Sequence, residues 1–279
     1  MKFSQNWQPL PLIVALICTF WGSINTYAQA PTTNTPDQLT ADDVVFKREF
    51  TLGAKLHSSG FGINANFVKI HNIFKKTVYE IEIMDVHHPK EKRQQSPFAS
   101  TQGIIRGFVF GKQNSFYAIN ATVGRVRTVS EKARRSGIGI GVYYAGGFSL
   151  GLQKPYYLSV IKGIAPNNTL IKENIAYSPE NESLFLNPNL IYSAAGFRYG
   201  WGDTKIFPGI QTKVAINFDW ASYHEFVKAL EVGAMVNAYM PDLGGVFEGK
   251  PQGVQLMVNE KPNYFFTSLY LRIMLGKRW

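Results

Sequence analysis

Tyr264 to Trp279 reads YFFTSLYLRIMLGKRW, and it sorts onto two faces. The odd positions Phe265, Leu269, Leu271, Ile273, Leu275 and Trp279 are apolar, while Ser268, Tyr270 and Arg272 alternate with them. Successive side chains of a β-strand point to opposite faces, so a period of two specifies a strand with one apolar side. A helix would need its apolar residues three and four apart.

The same split runs outward through the chain. Ile210, Thr212, Val214, Ile216, Phe218 and Trp220 oppose Gln211, Lys213, Ala215, Asn217 and Asp219. Ile138, Ile140, Val142, Tyr144, Phe148, Leu150 and Leu152 oppose a face of Gly139, Gly141, Tyr143, Ala145, Gly147, Ser149, Gly151 and Gln153. Leu230, Val232, Ala234, Val236 and Met240 oppose Glu231, Gly233 and Asn237, and Phe61, Ile63, Ala65 and Phe67 oppose Gly62, Asn64 and Asn66. These runs are about 10 to 16 residues long. Soluble strands average five or six residues, whereas a tilted membrane-crossing strand needs about 9 to 11.

An alternating strand that ends on an aromatic residue resembles the C-terminal signal of bacterial outer-membrane β-barrel proteins, here Leu271, Ile273, Leu275 and Trp279. As a pattern the resemblance covers Val44 to Trp279 and is closest to small barrels of the OmpA/OmpX type. It implies an all-β, antiparallel transmembrane barrel in the outer membrane and contact with the barrel assembly machinery during insertion. It implies no particular activity. A secreted β-sandwich also alternates, but glycines such as Gly139, Gly141, Gly147 and Gly151 have no purpose on a solvated face. In a crowded lumen they make room for neighbours.

The expected strands are 47–57, 61–72, 76–87, 100–111, 114–127, 137–152, 189–201, 207–220, 226–240 and 263–277, ten in all. With both termini in the periplasm, the outside loops are 58–60, 88–99, 128–136, 202–206 and 241–262. That leaves 154–188 as a long connection on the side where turns should be short. It either plugs the lumen or hides a strand pair near 156–161 and 169–177, which would make twelve.

The inward positions collect Glu49, Lys55, Glu80, Glu82, Arg198, Lys213, Asp219, Glu231 and Arg272, five acids against four bases. In a narrow barrel opposite charges at this density meet as ion pairs and close the interior, since a wide pore needs about 16 strands. The remaining charge concentrates in Lys90, Lys92 and Arg93 and in Arg125, Arg127, Lys132, Arg134 and Arg135. On the ten-strand topology these are two neighbouring extracellular loops, placed to clamp lipopolysaccharide phosphates. Tyr143, Tyr144, Tyr156, Tyr157, Trp201, Trp220 and Trp279 read as interface girdles.

Upstream, Leu10 to Trp21 is an apolar run and Ala28-Gln29-Ala30 a small-x-small motif, the pattern of a secretory signal peptide over 1–30. Cleavage after Ala30 would remove Cys18, the single cysteine, and with Lys2 take the formal charge from +10 to +9. Residues 31–43 read as a flexible periplasmic lead-in and 44–279 as the barrel. With 17% charged residues and 25 glycines among 279, coiled coils and disordered chains are excluded, and one cysteine excludes a disulfide scaffold.

Chemistry is sparse. His87 and His88 are adjacent and point apart on a strand, so no metal or cofactor is expected. Ser222, His224 and Glu225 crowd one turn at spacings that do not form a relay, and no Gly-x-Ser-x-Gly elbow is present. Gly137, Gly139 and Gly141 sit in a strand with no helix after them, which excludes a dinucleotide loop. The basic balance does not point to nucleic acid, given the export pattern and the lack of a binding motif. The expectation is a non-enzymatic barrel with a closed lumen. It would act as a structural or accessory subunit meeting lipopolysaccharide or an outer-membrane or periplasmic protein partner. A narrow channel for small or hydrophobic solutes and a lipid-modifying enzyme are the alternatives.

Overall fold

The computed structural model describes residues 46–72, 74–98, 106–130, 138–164, 166, 170–220, 225–247, 252–258 and 260–279. In chain order these form β1 (Arg48–His57), β2 (Gly60–Asn72), β3 (Lys75–Val86), β4 (Arg93–Gln94), β5 (Phe108–Val109), β6 (Asn114–Ser130) and β7 (Gly139–Pro155). The chain continues through β8 (Tyr157–Ile164), β9 (Leu170–Ala176), α1 (Glu182–Phe185), β10 (Ile191–Ala194), β11 (Lys205–Asp219), β12 (Phe226–Tyr239), α2 (Leu243–Phe247) and β13 (Phe265–Arg278).

Eight strands close into an antiparallel barrel in the order β1-β13-β12-β11-β7-β6-β3-β2, with β2 paired back to β1. Closure is made by the first and last strands, β1 and β13. Glu49 faces Arg278 in register, Lys47 and Arg48 donate backbone hydrogen bonds to the Trp279 carbonyl, and Trp279 donates back to Arg48. The alternation governs every wall strand: Leu269, Leu271, Ile273 and Leu275 face outward, while Ser268, Tyr270, Arg272 and Met274 are buried inside. The glycines do what the crowded-lumen argument requires. A Cβ at Gly124 would lie 2.6 Å from the Tyr143 ring, and one at Gly151 would lie 2.5 Å from that of Phe116.

The architecture is the small outer-membrane barrel type, with eight strands in the wall instead of ten or twelve. Each of the eight matches an expected strand to within three residues at either end. The two surplus strands do not cross. Of 100–111, the described part contributes only β5, which pairs with β4, and 189–201 contributes only β10. The pair expected near 156–161 and 169–177 exists as β8 and β9, but with β10 it makes a separate three-stranded sheet.

Removing the first surplus strand exchanges the ends of the connections between it and the second. The start of β1, the end of β13 and the strand ends joined by the β2–β3, β6–β7 and β11–β12 connections share one end of the barrel, the terminus end. The loop end carries the two-residue β1–β2 turn and the long connections 87–113, 156–204 and 240–264. The stretch 154–188 therefore lies on the side where long loops belong.

The described parts of those loops fold together as a cap. Phe108, Leu158, Val160, Phe185, Ile191 and Val258 form its core, and Ser96 donates to the Ile191 carbonyl at 2.9 Å. The segment 252–258 is stitched over the barrel mouth. The backbone amides of Gln113 and Asn114 donate to the Leu256 carbonyl, and the Gln255 amide donates to the Gln153 side chain at 3.0 Å. Val254 and Leu256 thereby join the buried cluster of Phe116, Phe207 and Tyr239 that fills the mouth.

Candidate functional site

The lumen is layered, and each layer arises from the inward parity of the strands around it. Nearest the terminus end, Arg278 Nε donates to Glu49 at 2.7 Å and the same guanidinium pairs with Asp219. Lys76 stands 3.5 Å from both carboxylates. The layer holds two acids and two bases.

The middle layer balances likewise, with Glu80, Glu82 and Glu231 against Lys55, Lys213 and Arg272. Arg272 joins two carboxylates: Nη1 lies 2.7 Å from Glu80, and Nη2 donates to both Glu231 oxygens at 2.7 Å. Lys213 Nζ bridges Glu80 at 2.7 Å and Glu82 at 3.3 Å, and Lys55 pairs with Glu82. Tyr143 donates to Glu80 at 2.9 Å and Tyr270 to Glu231 at 2.6 Å. The Lys55 ammonium lies 4.4 Å from the Tyr270 ring centroid. These side chains are 0 to 1% exposed for the charged groups, so protein must supply the solvation that water cannot.

Toward the mouth the lining becomes neutral. Ser149 Oγ sits 2.6 Å from Asn120 Oδ1 and 2.9 Å from the Tyr239 hydroxyl, and Asn120 donates to Glu82 at 3.3 Å. Above them Phe116, Phe207, Tyr239 and Phe266 form a ring layer, with centroids 5.1 Å apart for Phe116–Tyr239 and 5.6 Å for Phe116–Phe266. Between the two charged layers lies a cavity of about 30 Å³, room for a few water molecules and nothing larger.

The expected inward residues Glu49, Lys55, Glu80, Glu82, Lys213, Asp219, Glu231 and Arg272 are brought together here. Arg198 is not: it is exposed in the 195–204 segment beyond β10. Arg278, Lys76, Tyr143 and Tyr270 also belong to the network, beyond the residues expected in it. Parity offers them, since Arg278 shares its face with Arg272 and Lys76 shares its face with Glu80. Tyr143, expected in a girdle, is instead wholly buried in the lumen, while Tyr156 lies among the cap residues and accepts from the Val109 amide.

The described members of the two basic groups expected as neighbouring extracellular loops stand at opposite ends. Lys90, Lys92 and Arg93 are at the loop end, where Lys90 is held by Glu260 at 2.5 Å. That hydrogen bond, with His88 beside it, keeps the Glu260 carboxyl below the usual carboxylate range. Arg125 and Arg127 lie on β6 at the terminus end, facing outward. Lys132, Arg134 and Arg135 lie outside the described residues, as do Ser222 and His224.

Outside, the wall is apolar between two aromatic belts. Leu269 is 70% exposed and Phe148 78%, and their register partners are Ala234 for the first and Ala121 and Ile210 for the second. The loop-end belt is Tyr117 stacked on Trp201, whose partner Phe197 accepts from Lys154 through its carbonyl at 2.5 Å. The terminus-end belt carries Phe74, Trp220, Phe226 and Trp279. Ile206 on β11 and Trp220 just past its end mark the two levels, and about 14 residues at ~3.3 Å each, tilted by roughly 40°, rise about 35 Å. That crosses a bilayer's apolar slab of about 30 Å and reaches into its interfaces.

Neither a family model nor a curated protein matches the chain. Among solved structures, the crystal structure of Ail, the attachment invasion locus protein of Yersinia pestis, is similar over 84% of this chain and 99% of its own. The TM-score is 0.37 and the identity 9%. That likeness carries no argument for a shared role, and the barrel rests on its own hydrogen-bonded register.

Proposed function

We propose that the chain is an integral outer-membrane barrel, sealed and non-catalytic, that works through the surfaces it holds in place. The observation that carries this reading is the filled lumen: two charge-balanced layers, a ring layer and the 252–258 segment succeed one another across the barrel, with room for only a few waters between the charged layers. The apolar band between two aromatic belts supports the membrane location, because so large an exposed apolar surface is unfavourable in water.

The cap supports an accessory or docking role. Its fold has its own core, so it presents a fixed surface above the membrane, as a partner-binding module requires. Lys92 and Arg93 are exposed on it and, with Lys90, keep the lipopolysaccharide-contact reading for that end. Among the described residues no three of His, Cys, Asp and Glu are grouped to hold a metal.

The test is planar-bilayer recording of the purified, heat-modifiable protein, with liposome swelling beside it. The expected result is insertion without steady conductance and no swelling with small sugars. Steady conductance in every insertion would overturn the sealed reading and favour the narrow-channel alternative.

A further inference from the structure

On the outer face at the terminus end, the strand register sets like charges directly opposite one another. Arg48 on β1 is the register partner of Lys69 on β2, and Lys75 on β3 is the partner of Arg127 on β6. Between them Thr77 pairs with both Lys69 and Arg125. Directly opposed residues on an antiparallel pair have Cβ atoms about 4.5 to 5.5 Å apart, and like charges there repel. Arg48, Lys69, Lys75, Arg125 and Arg127 are all exposed, and no acid pairs with them among the described residues.

One step toward the barrel's middle, the register partners are Phe50, Phe67 and Tyr79, with the first two rings 4.9 Å apart. A basic row thus borders an aromatic row on adjacent levels of the same wall. A groove of about 870 Å³ joins them, lined by Phe67, Tyr79 and Trp279 together with Arg48 and Lys69, by Lys277, which pairs with Glu225, and by Glu49.

We infer that this groove is a binding site for an anionic glycerophospholipid of the inner leaflet. Its phosphate lies between Arg48 and Lys69, and an acyl chain runs along Phe67 and Tyr79. Three features favour this occupant. No acidic side chain among the described residues forms an ion pair with the opposed bases, Glu49 of the groove lining being taken by Arg278 and Lys76. The adjacent aromatic row asks for a ligand apolar one step deeper. The level is that of the terminus-end belt, on the periplasmic side, away from the lipopolysaccharide leaflet. The inference rests on the membrane reading above, because that reading sets which leaflet meets the terminus end.

Native mass spectrometry and thermal unfolding, with phosphatidylglycerol or phosphatidylcholine added to the detergent-purified barrel, test it. The wild type should retain phosphatidylglycerol at least tenfold better than phosphatidylcholine, and its unfolding temperature should rise only with the former. Arg48→Gln with Lys69→Gln should abolish both effects. Because the change relieves repulsion, the variant should fold and be no less stable than wild type without anionic lipid. Lys92→Gln with Arg93→Gln, at the other end, should leave both effects intact. Equal retention of the two lipids, or phosphatidylglycerol selectivity unchanged in the Arg48/Lys69 variant, would overturn the site. Failure of the membrane reading would look different: the wild type would show no heat-modifiable mobility and would not insert into vesicles of either lipid.

Discussion

Arg272→Ala should cost about 3 to 5 kcal/mol of unfolding free energy, as expected when one partner of a buried ion pair is removed. Its position explains why. On the wall Arg272 is flanked by Lys55 on β1 and Glu231 on β12, and across the lumen it reaches Glu80. Removing it leaves three buried carboxylates facing two ammonium groups, beside a cavity that admits only a few waters. Arg272→Lys keeps the charge but loses the planar fork that joins Glu80 to Glu231, so it should cost less, on the order of 1 to 2 kcal/mol. Arg272→Met combined with Glu231→Gln restores the balance and should recover most of the loss. The readout is the urea midpoint in detergent micelles, followed by the mobility difference between folded and unfolded protein on a gel. A cost below about 1 kcal/mol for Arg272→Ala would mean that water solvates these carboxylates, and the sealed lumen would fall with it.

The wall and its inside are legible in the sequence because one period governs both. Outward residues such as Leu269 and Ile273 and inward ones such as Arg272 are assigned by parity alone, whatever the number of strands. Strand number is harder to read, since local alternation does not say which sheet a strand joins. The run 100–111 ends in Phe108 and Val109, and 189–201 begins with Ile191 and Tyr192, residues as suited to a barrel wall as to a cap. In the structure Phe108 and Ile191 are buried together in the cap core. Counting both as crossings inserts two reversals of direction, and the second cancels the first. The ten-strand count therefore gives the right ends for 58–60, 73–75, 221–225 and 241–262, and it exchanges those of 128–136 and 154–188. The long connection on the wrong side is the visible trace of the surplus strand. Arg125 and Arg127 move with that correction from a lipopolysaccharide clamp to the row opposite Thr77 and Lys75.

The mouth plug has no comparable signal in the sequence. Val254, Leu256 and Met257 fall in a stretch with no strong period, and their burial depends on hydrogen bonds to Gln113, Asn114 and Gln153 from distant parts of the chain. Such contacts leave no local signature. The charged residues of the lumen do, because Lys, Glu and Arg at inward positions are improbable unless each meets an opposite charge.

Phe116→Ala should be the second large loss, about 3 to 5 kcal/mol, because the ring is wholly buried and sits among Phe207, Tyr239 and Phe266. Gly151 lies under it on β7. A Cβ there would stand 2.5 Å from Phe116 Cζ, 2.9 Å from its Cε2 and 3.1 Å from Tyr239 Cε1, and the surrounding rings hold Phe116 against retreat. Gly151→Ala alone should therefore destabilise by about 1 to 3 kcal/mol through overpacking. In a Phe116→Leu background the same change should cost at least about 1 kcal/mol less, because the shorter side chain vacates the space the methyl takes. Additive costs in this cycle would show that the two residues do not share that space. Conductance separates packing from sealing. Phe116→Ala removes the central ring of that layer, but the Ser149–Asn120–Tyr239 contacts and the Arg272 layer still lie across the lumen beneath it. The variant should unfold earlier and still pass no current, which places the barrier to ions in the charge-balanced layers and gives the ring layer the work of holding the cap to the barrel.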